Sequence, residues 1–438
     1  MIQYYFFLGI RSLRRNPVLT SLMVLTLAIG VAASVSTLTI LHMMSTDPIP
    51  SKSDRLFVPV MDGSPLEGYV PGAPIEETQL SYPDVTNFLK ADQGVRRVAV
   101  YGVQMTLEPS RPDLRVADIQ GLAVSADYFA MFEVPFSQGQ GWTAAEEKNA
   151  AKVVVLSQTL SEKLFGKESA LGQRLRMQNN EYQVIGVLGK WNPLPRFTHL
   201  INGSGGSFKG EDEFYIPFNT AAVVEIGPSG SMWCHGPMGA GFKGIFASDC
   251  TWLQFWFETA TASDHTKLLN YLNAYTADQK KVGRYPRGAP NLLLNVKEWM
   301  SFLKIVRDDS KLSAWLAFGF LLLCLVNTAG LLLAKFSVRA SEVGVRRALG
   351  ASRADIFMQF FIETGVIGLV GGLFGLVLSF GGLWLISRQS GEMAVLAKMD
   401  WNMLVLTFIL AVSASVLAGL LPTWRACQVT PALQLKSQ

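Results

Sequence analysis

Charge is scarce in this sequence. Asp, Glu, Lys and Arg make up 16% of its 438 residues, where an ordinary soluble domain carries about 25%. With 49% hydrophobic residues and a mean hydropathy of +0.26, that shortage excludes a disordered chain and argues against a wholly soluble one. The net charge of +4 is too small to imply a nucleic-acid partner, so the positions of the basic residues matter more than their sum. No GxxxxGK[ST] occurs, which removes the phosphate-cradling loop of a nucleotide hydrolase from this chain. GxSxG is absent, and the four histidines (His42, His199, His235, His265) fit no metal-ligand spacing. A GxGxxG at Gly239, Gly241 and Gly244 follows no strand and opens no obvious helix, so it reads as turn glycine. Glu76–Glu77 and Glu146–Glu147 lie in polar stretches and read as solvated. No active site, metal or cofactor is expected in this chain.

What the chain has instead is long apolar runs. A spanning helix needs about 20 apolar residues at 1.5 Å rise, and four stretches qualify: 18–44, 312–334, 364–387 and 401–424. Arg11, Arg14 and Arg15 before the first could be the basic head of a signal peptide. The apolar stretch is too long for one and no A-x-A site follows, so it reads as an uncleaved anchor. Lys335, Arg339, Arg346, Arg347 and Arg353 lie between runs two and three, and Arg425 and Lys436 follow run four. Only Arg388 and Lys398 separate runs three and four. Basic loops stay in the cytoplasm. Both termini are therefore expected inside, with residues 47–310 on the outer side of a bacterial inner membrane.

Cys234 and Cys250 both fall in that exported stretch. In an oxidising compartment they read as a disulfide, worth about 3 kcal/mol in the chain-entropy account. A metal site at Cys234–His235 competes, but it lacks a CxxC or HxxxH partner. Strands are expected at 55–60, 97–105, 152–156, 182–188, 214–217, 251–257 and 291–296. Helices are expected at 82–91, 157–165 and 263–281, the last capped by Ser263. Residues 227–244 hold six glycines and two prolines and read as a loop.

After the second run the chain reads KFSVRASEVGVRRALGASRADIF, a charged helix broken at Gly350 and restarted by Ser352 with Asp355 as a short capping box. Ala348, Leu349 and Ala351 form a small apolar knob, and Arg346, Arg347 and Arg353 point to the cytoplasm. By charge alone, such a helix could equally lie on anionic lipid.

EVGVRRALGASRADI closely resembles the signature of FtsX-like ABC permeases, and residues 122–141 and 151–188 resemble the periplasmic core of MacB-type permeases. PTWRACQVTPALQL near the C-terminus is similar to the end of that family. The resemblance implies a type VII mechanotransmission permease: an α-helical membrane protein of four spans with a large α/β periplasmic domain between helices 1 and 2. The expected layout is an interfacial amphipathic helix at 1–16, span one at 17–46 and a periplasmic core at 47–310. Within that core, lobes at 47–110 and 251–300 would flank an inserted subdomain at 111–250. Span two (311–335), a coupling helix (336–360), span three (361–388), a periplasmic loop (389–400), span four (401–425) and a cytoplasmic tail (426–438) follow.

By the same resemblance, Glu342, Arg346, Arg347, Ala348, Leu349, Gly350, Ala351, Ser352 and Arg353 would contact a cytoplasmic ABC ATPase that binds ATP and Mg. MacB itself carries its ATPase ahead of the first span, whereas here about 16 residues precede it, so a separate ATPase subunit is expected. Four spans make half a transporter, so a second permease copy or a related permease is expected too. Gly368, Gly371, Gly372 and Gly375 would let span three pack closely. Export of a peptide, antibiotic or other amphiphile, with a periplasmic adaptor and an outer-membrane channel, is the leading expectation. Lol-type lipoprotein release and FtsX-type control of a cell-wall hydrolase are the alternatives.

Overall fold

The computed structural model describes residues 7, 11, 16–200, 206–208, 210–288, 290–389, 391–397 and 401–427. Most of the expected helix at 1–16, including Arg14 and Arg15, and the tail beyond Cys427 lie outside the described residues. The chain divides into two compact units: Thr46–Ile305, and the helices before and after it.

Among the described residues, three helices are long and apolar enough to cross a membrane: Pro17–Ser45, Asp308–Val338 and Arg353–Ser387. A further helix, Trp401–Cys427, contains Pro422. Small residues set how closely these helices approach. A Cβ on Gly371 would lie 3.1 Å from Leu27 Cβ, and one on Gly375 would lie 3.0 Å from Val31 Cβ. Gly368 and Gly372 are buried on the same helix. Gly30 backs onto Cys324 and Gly419 onto Thr364. Ser34 Oγ donates to the Ala317 carbonyl at 2.9 Å, and the Thr26 and Thr328 hydroxyls meet at 3.3 Å.

A buried charge cluster, Lys335 with Glu363, sits at the edges of the second and third apolar runs. Both helices continue past those runs and bring the two side chains face to face. Lys335 Nζ lies 2.8 Å from Glu363 Oε1, Arg339 Nη1 lies 2.9 Å from Oε2, and Lys335 and Glu363 are 0% and 3% exposed. Charges so buried persist only when paired.

The Thr46–Ile305 unit is built on one eleven-stranded sheet. Its strands are β1 Leu56–Val60, β2 Leu80–Ser81, β3 Arg96–Glu108, β4 Ala117–Val124, β5 Phe136–Gly139, β6 Val153–Leu156, β7 Arg174–Met177, β8 Asn180–Leu188, β9 Phe214–Pro217, β10 Thr251–Glu258 and β11 Leu292–Asn295. The order is β11-β1-β10-β3-β4-β9-β6-β8-β5, with β2 on β10 and β7 bridging β3 and β8. β4–β9 and β6–β8 are parallel and the other pairs antiparallel. Strand alternation feeds a core on each face. Ala99, Tyr101, Phe255 and Phe257 join one cluster, while Val98, Val100 and Trp256 join the other. Because both faces are covered, β6, β9 and β10 are buried along their whole length.

Helices Tyr82–Lys90 and His265–Lys281 are tied together at Asp84. That carboxylate is wholly buried and accepts from Tyr275 and Tyr285 hydroxyls at 2.6 and 2.8 Å and from Arg284 at 2.6 Å. The expected cap at Ser263 is corrected: Thr261 forms the capping box with Asp264 around a 3-10 turn, and the α-helix begins at His265. The glycine-rich loop is corrected as well. A short helix, Gly241–Ala247, starts inside it, and Gly244 lies so close to Gly239 that a Cβ would meet the Gly239 carbonyl oxygen at 2.1 Å.

Candidate functional site

The segment between the second and third apolar helices is built by two sequence devices. The helix Asp308–Val338 ends at Arg339, and a nine-residue helix, Ala340–Ala348, follows at once. Gly350 then takes φ +101°, a left-handed value natural to glycine. Ser352 caps the next helix with a full capping box: its Oγ accepts from Asp355 N–H at 3.1 Å, and Asp355 Oδ2 accepts from Ser352 N–H at 3.2 Å.

The turn leaves Leu349 83% exposed and Val345 56% exposed, with Ala348, Ser352 and Arg353 also exposed and Ala351 half-buried. Arg346 is tied to its own helix and to the next. It donates to Glu342 and to Gln359, each at 2.6 Å, so it braces the short helix against the next one. Arg347 is half-buried, its Nε unbonded among the described residues. The exposed apolar tip is thus Leu349, held by a braced helix and a glycine turn.

In the other unit, Cys234 and Cys250 are joined by a disulfide with an S–S distance of 1.99 Å. Each cysteine is followed by a residue that binds the same carboxylate. His235 Nε2 lies 3.1 Å from Glu77 Oε2, and Thr251 Oγ1 donates to Glu77 Oε1 at 2.5 Å. Glu77 is therefore not solvated as its sequence neighbourhood suggested. Its side chain is 7% exposed, and burial raises its carboxyl above the usual carboxylate range.

Glu147 is corrected in the same way. It accepts from Trp142 Nε1 at 2.7 Å and Asn219 N–H at 2.8 Å, and burial pushes its carboxyl up to about 7. Glu146 is half-buried in a capping box with Thr143. His199 accepts from Gly102 N–H at 3.1 Å, and burial pushes it down to about 3, so it is neutral. Among the described residues no three His, Cys, Asp or Glu side chains converge as metal ligands.

Residues 20–247, more than half of the chain, match the family described as the MacB-like periplasmic core domain, and residues 314–431 match the FtsX-like permease C-terminal. The chain belongs to the MacB-like ABC transporter permeases. Its relatives include the macrolide export ATP-binding/permease protein MacB of Wolinella succinogenes, 26% identical over 72% of this chain and 43% of that protein. Another is the uncharacterized ABC transporter permease YknZ of Bacillus subtilis, 23% identical over 78% of this chain and 76% of that one. The periplasmic region of MacB from Actinobacillus actinomycetemcomitans aligns with 58% of the chain and 95% of its own length at 13% identity and TM-score 0.36. The chain spans about half the length of the curated ATP-binding/permease relatives it matches. In this MacB-like permease the 340–355 segment lies inside the FtsX-like match. Cys234 lies inside the core-domain match and Cys250 just beyond its end.

Proposed function

We propose that this MacB-like permease couples ATP hydrolysis by a cytoplasmic ABC ATPase on a separate subunit to movement of its Thr46–Ile305 domain outside the membrane. In this reading Trp401–Cys427 is the fourth span, the termini and the 340–355 segment are cytoplasmic, and Thr46–Ile305 is the periplasmic domain between spans one and two. Two permease copies, or this chain and a related one, complete the transporter. The cargo is a peptide, antibiotic or other amphiphile taken from the periplasm, passed through a periplasmic adaptor to an outer-membrane channel. No buried carboxylate or basic side chain is needed as a conduit, since the helices transmit motion rather than carry cargo. ATP and Mg belong to the partner.

The observation that carries the reading is the exposed Leu349, projected by a braced helix and a Gly350 turn. An apolar side chain on a rigid tip suits a groove in a partner protein better than open water. Leu349→Asp is expected to abolish co-purification with the ABC ATPase while the permease keeps its yield and thermal stability in detergent. Undiminished co-purification would place the ATPase contact elsewhere.

A further inference from the structure

The cysteine-clamped face of the Thr46–Ile305 unit holds a cavity of about 350 Å³ whose walls include Glu76, Glu77, Gln79, Trp233, His235 and Thr251. That size falls within the range of small-molecule sites. The walls are fixed: the disulfide ties the two segments, and Trp233 and Thr251 exchange backbone hydrogen bonds at 2.7 and 3.0 Å. A register shift in β10 between Thr251 and Leu253 marks the same place, and such irregularities re-aim side chains at sites.

The chemistry of the walls is lopsided. Gln79 is only 7% exposed. Its amide nitrogen donates to Ser231 O and Oγ at 3.4 Å, yet its Oε1 has no partner among the described residues. An acceptor buried without a donor is costly, and a ligand N–H would satisfy it. Glu76 and Glu77 add carboxylates, and among the described residues the lining contains no Lys or Arg. Trp233 stands on the wall 65% exposed, a position that offers an indole face to a cation. A metal suits the cavity poorly, since no three ligating side chains converge among the described residues.

We infer that this cavity binds a small ligand through a protonated amine or guanidinium seated on Glu77 and Gln79, with an adjoining apolar group against Trp233. The disulfide is then the clamp that holds the site's two Glu77 partners in place. Binding needs neither ATP nor an ATPase, so its failure would leave the transport reading untouched.

Phenethylammonium is a suitable probe. Saturation-transfer NMR on the full chain in detergent, with empty micelles subtracted, is expected to show saturable binding, and the neutral phenethyl alcohol should bind about tenfold more weakly. Glu77→Gln should weaken binding about tenfold and Trp233→Ala about threefold, while Glu168→Gln, an exposed carboxylate elsewhere, should have no effect. Equal binding of ammonium and alcohol, no saturable binding, or undiminished binding to folded Glu77→Gln would overturn the inference. Should Glu77→Gln fail to fold, Trp233→Ala and Glu76→Gln decide, and unaltered binding in both would overturn it equally.

Discussion

At the residue scale, the informative side chains are buried acids that the sequence shows among polar neighbours. Glu147 ordinarily titrates near 4.5 but is pushed up to about 7 in the fold. Between those values the folded chain holds a proton that the unfolded chain has lost. The residue's contribution to stability is therefore fully present below about 4.5 and is lost as pH rises through 7. Glu147→Gln is expected to remove that slope, so the stability difference between parent and variant should change by up to about 3 kcal/mol across the window. Urea unfolding followed by tryptophan fluorescence at several pH values measures it. His199 acts with the opposite sign, its contribution fading as pH falls below 6.5, but it is common to both proteins and cancels.

Glu363 offers a second contrast. Its removal as Glu363→Ala strands Lys335 and should cost about 3–5 kcal/mol. Glu342→Ala breaks a partly exposed pair with Arg346 and should cost about 1 kcal/mol or less. Melting in detergent separates the two cases. Neither Glu77 nor Glu147 could be recognised from its neighbours: Thr251 and Asn219 stand 174 and 72 residues away, and only Trp142, which bonds Glu147, is local.

At the element scale, legibility followed burial. β6, β9 and β10 are apolar on both faces and stand out as unbroken hydrophobic runs. β4 begins with the exposed Ala117 and Asp118, and β5 and β7 read FSQG and RLRM with mostly exposed or alternating side chains. β5 owes its strand character to β8, well separated in sequence, while β4 and β7 pair with the adjacent strands β3 and β8, and composition records none of these pairings. The Ser352 capping box and the Gly350 break could be read because caps and left-handed turns use local chemistry. The bracing of Arg346 by Gln359 could not.

Glycine in the third apolar helix yields a paired prediction. Gly375→Leu drives a side chain into Val31 and Ala28, whereas Gly381→Leu enters open space. The first is expected to lower stability in detergent by about 1–3 kcal/mol, and the second should stay near the parent. Equal effects would mean that the close approach of the two helices is not what the glycine serves.

At the scale of the whole molecule, the proposed topology puts the 340–355 segment and the Thr46–Ile305 unit in different compartments. A cysteine placed at Leu349, in a background with Cys427→Ser, is expected to react with an impermeant maleimide only after the inner membrane is opened. One placed at the exposed Lys148 should react in cells whose outer membrane alone has been permeabilised. Matching reactivity at both positions would overturn the proposed topology.

The sheet order has one more consequence. β1, the first strand of the Thr46–Ile305 unit, and β11, the last, lie side by side, with Phe57 opposite Asn295. The segment therefore begins and finishes at a common border of its sheet, as a cassette does. Swapping it for the corresponding cassette of another such protein requires only two neighbouring splice points, which makes Thr46–Ile305 an exchangeable tool.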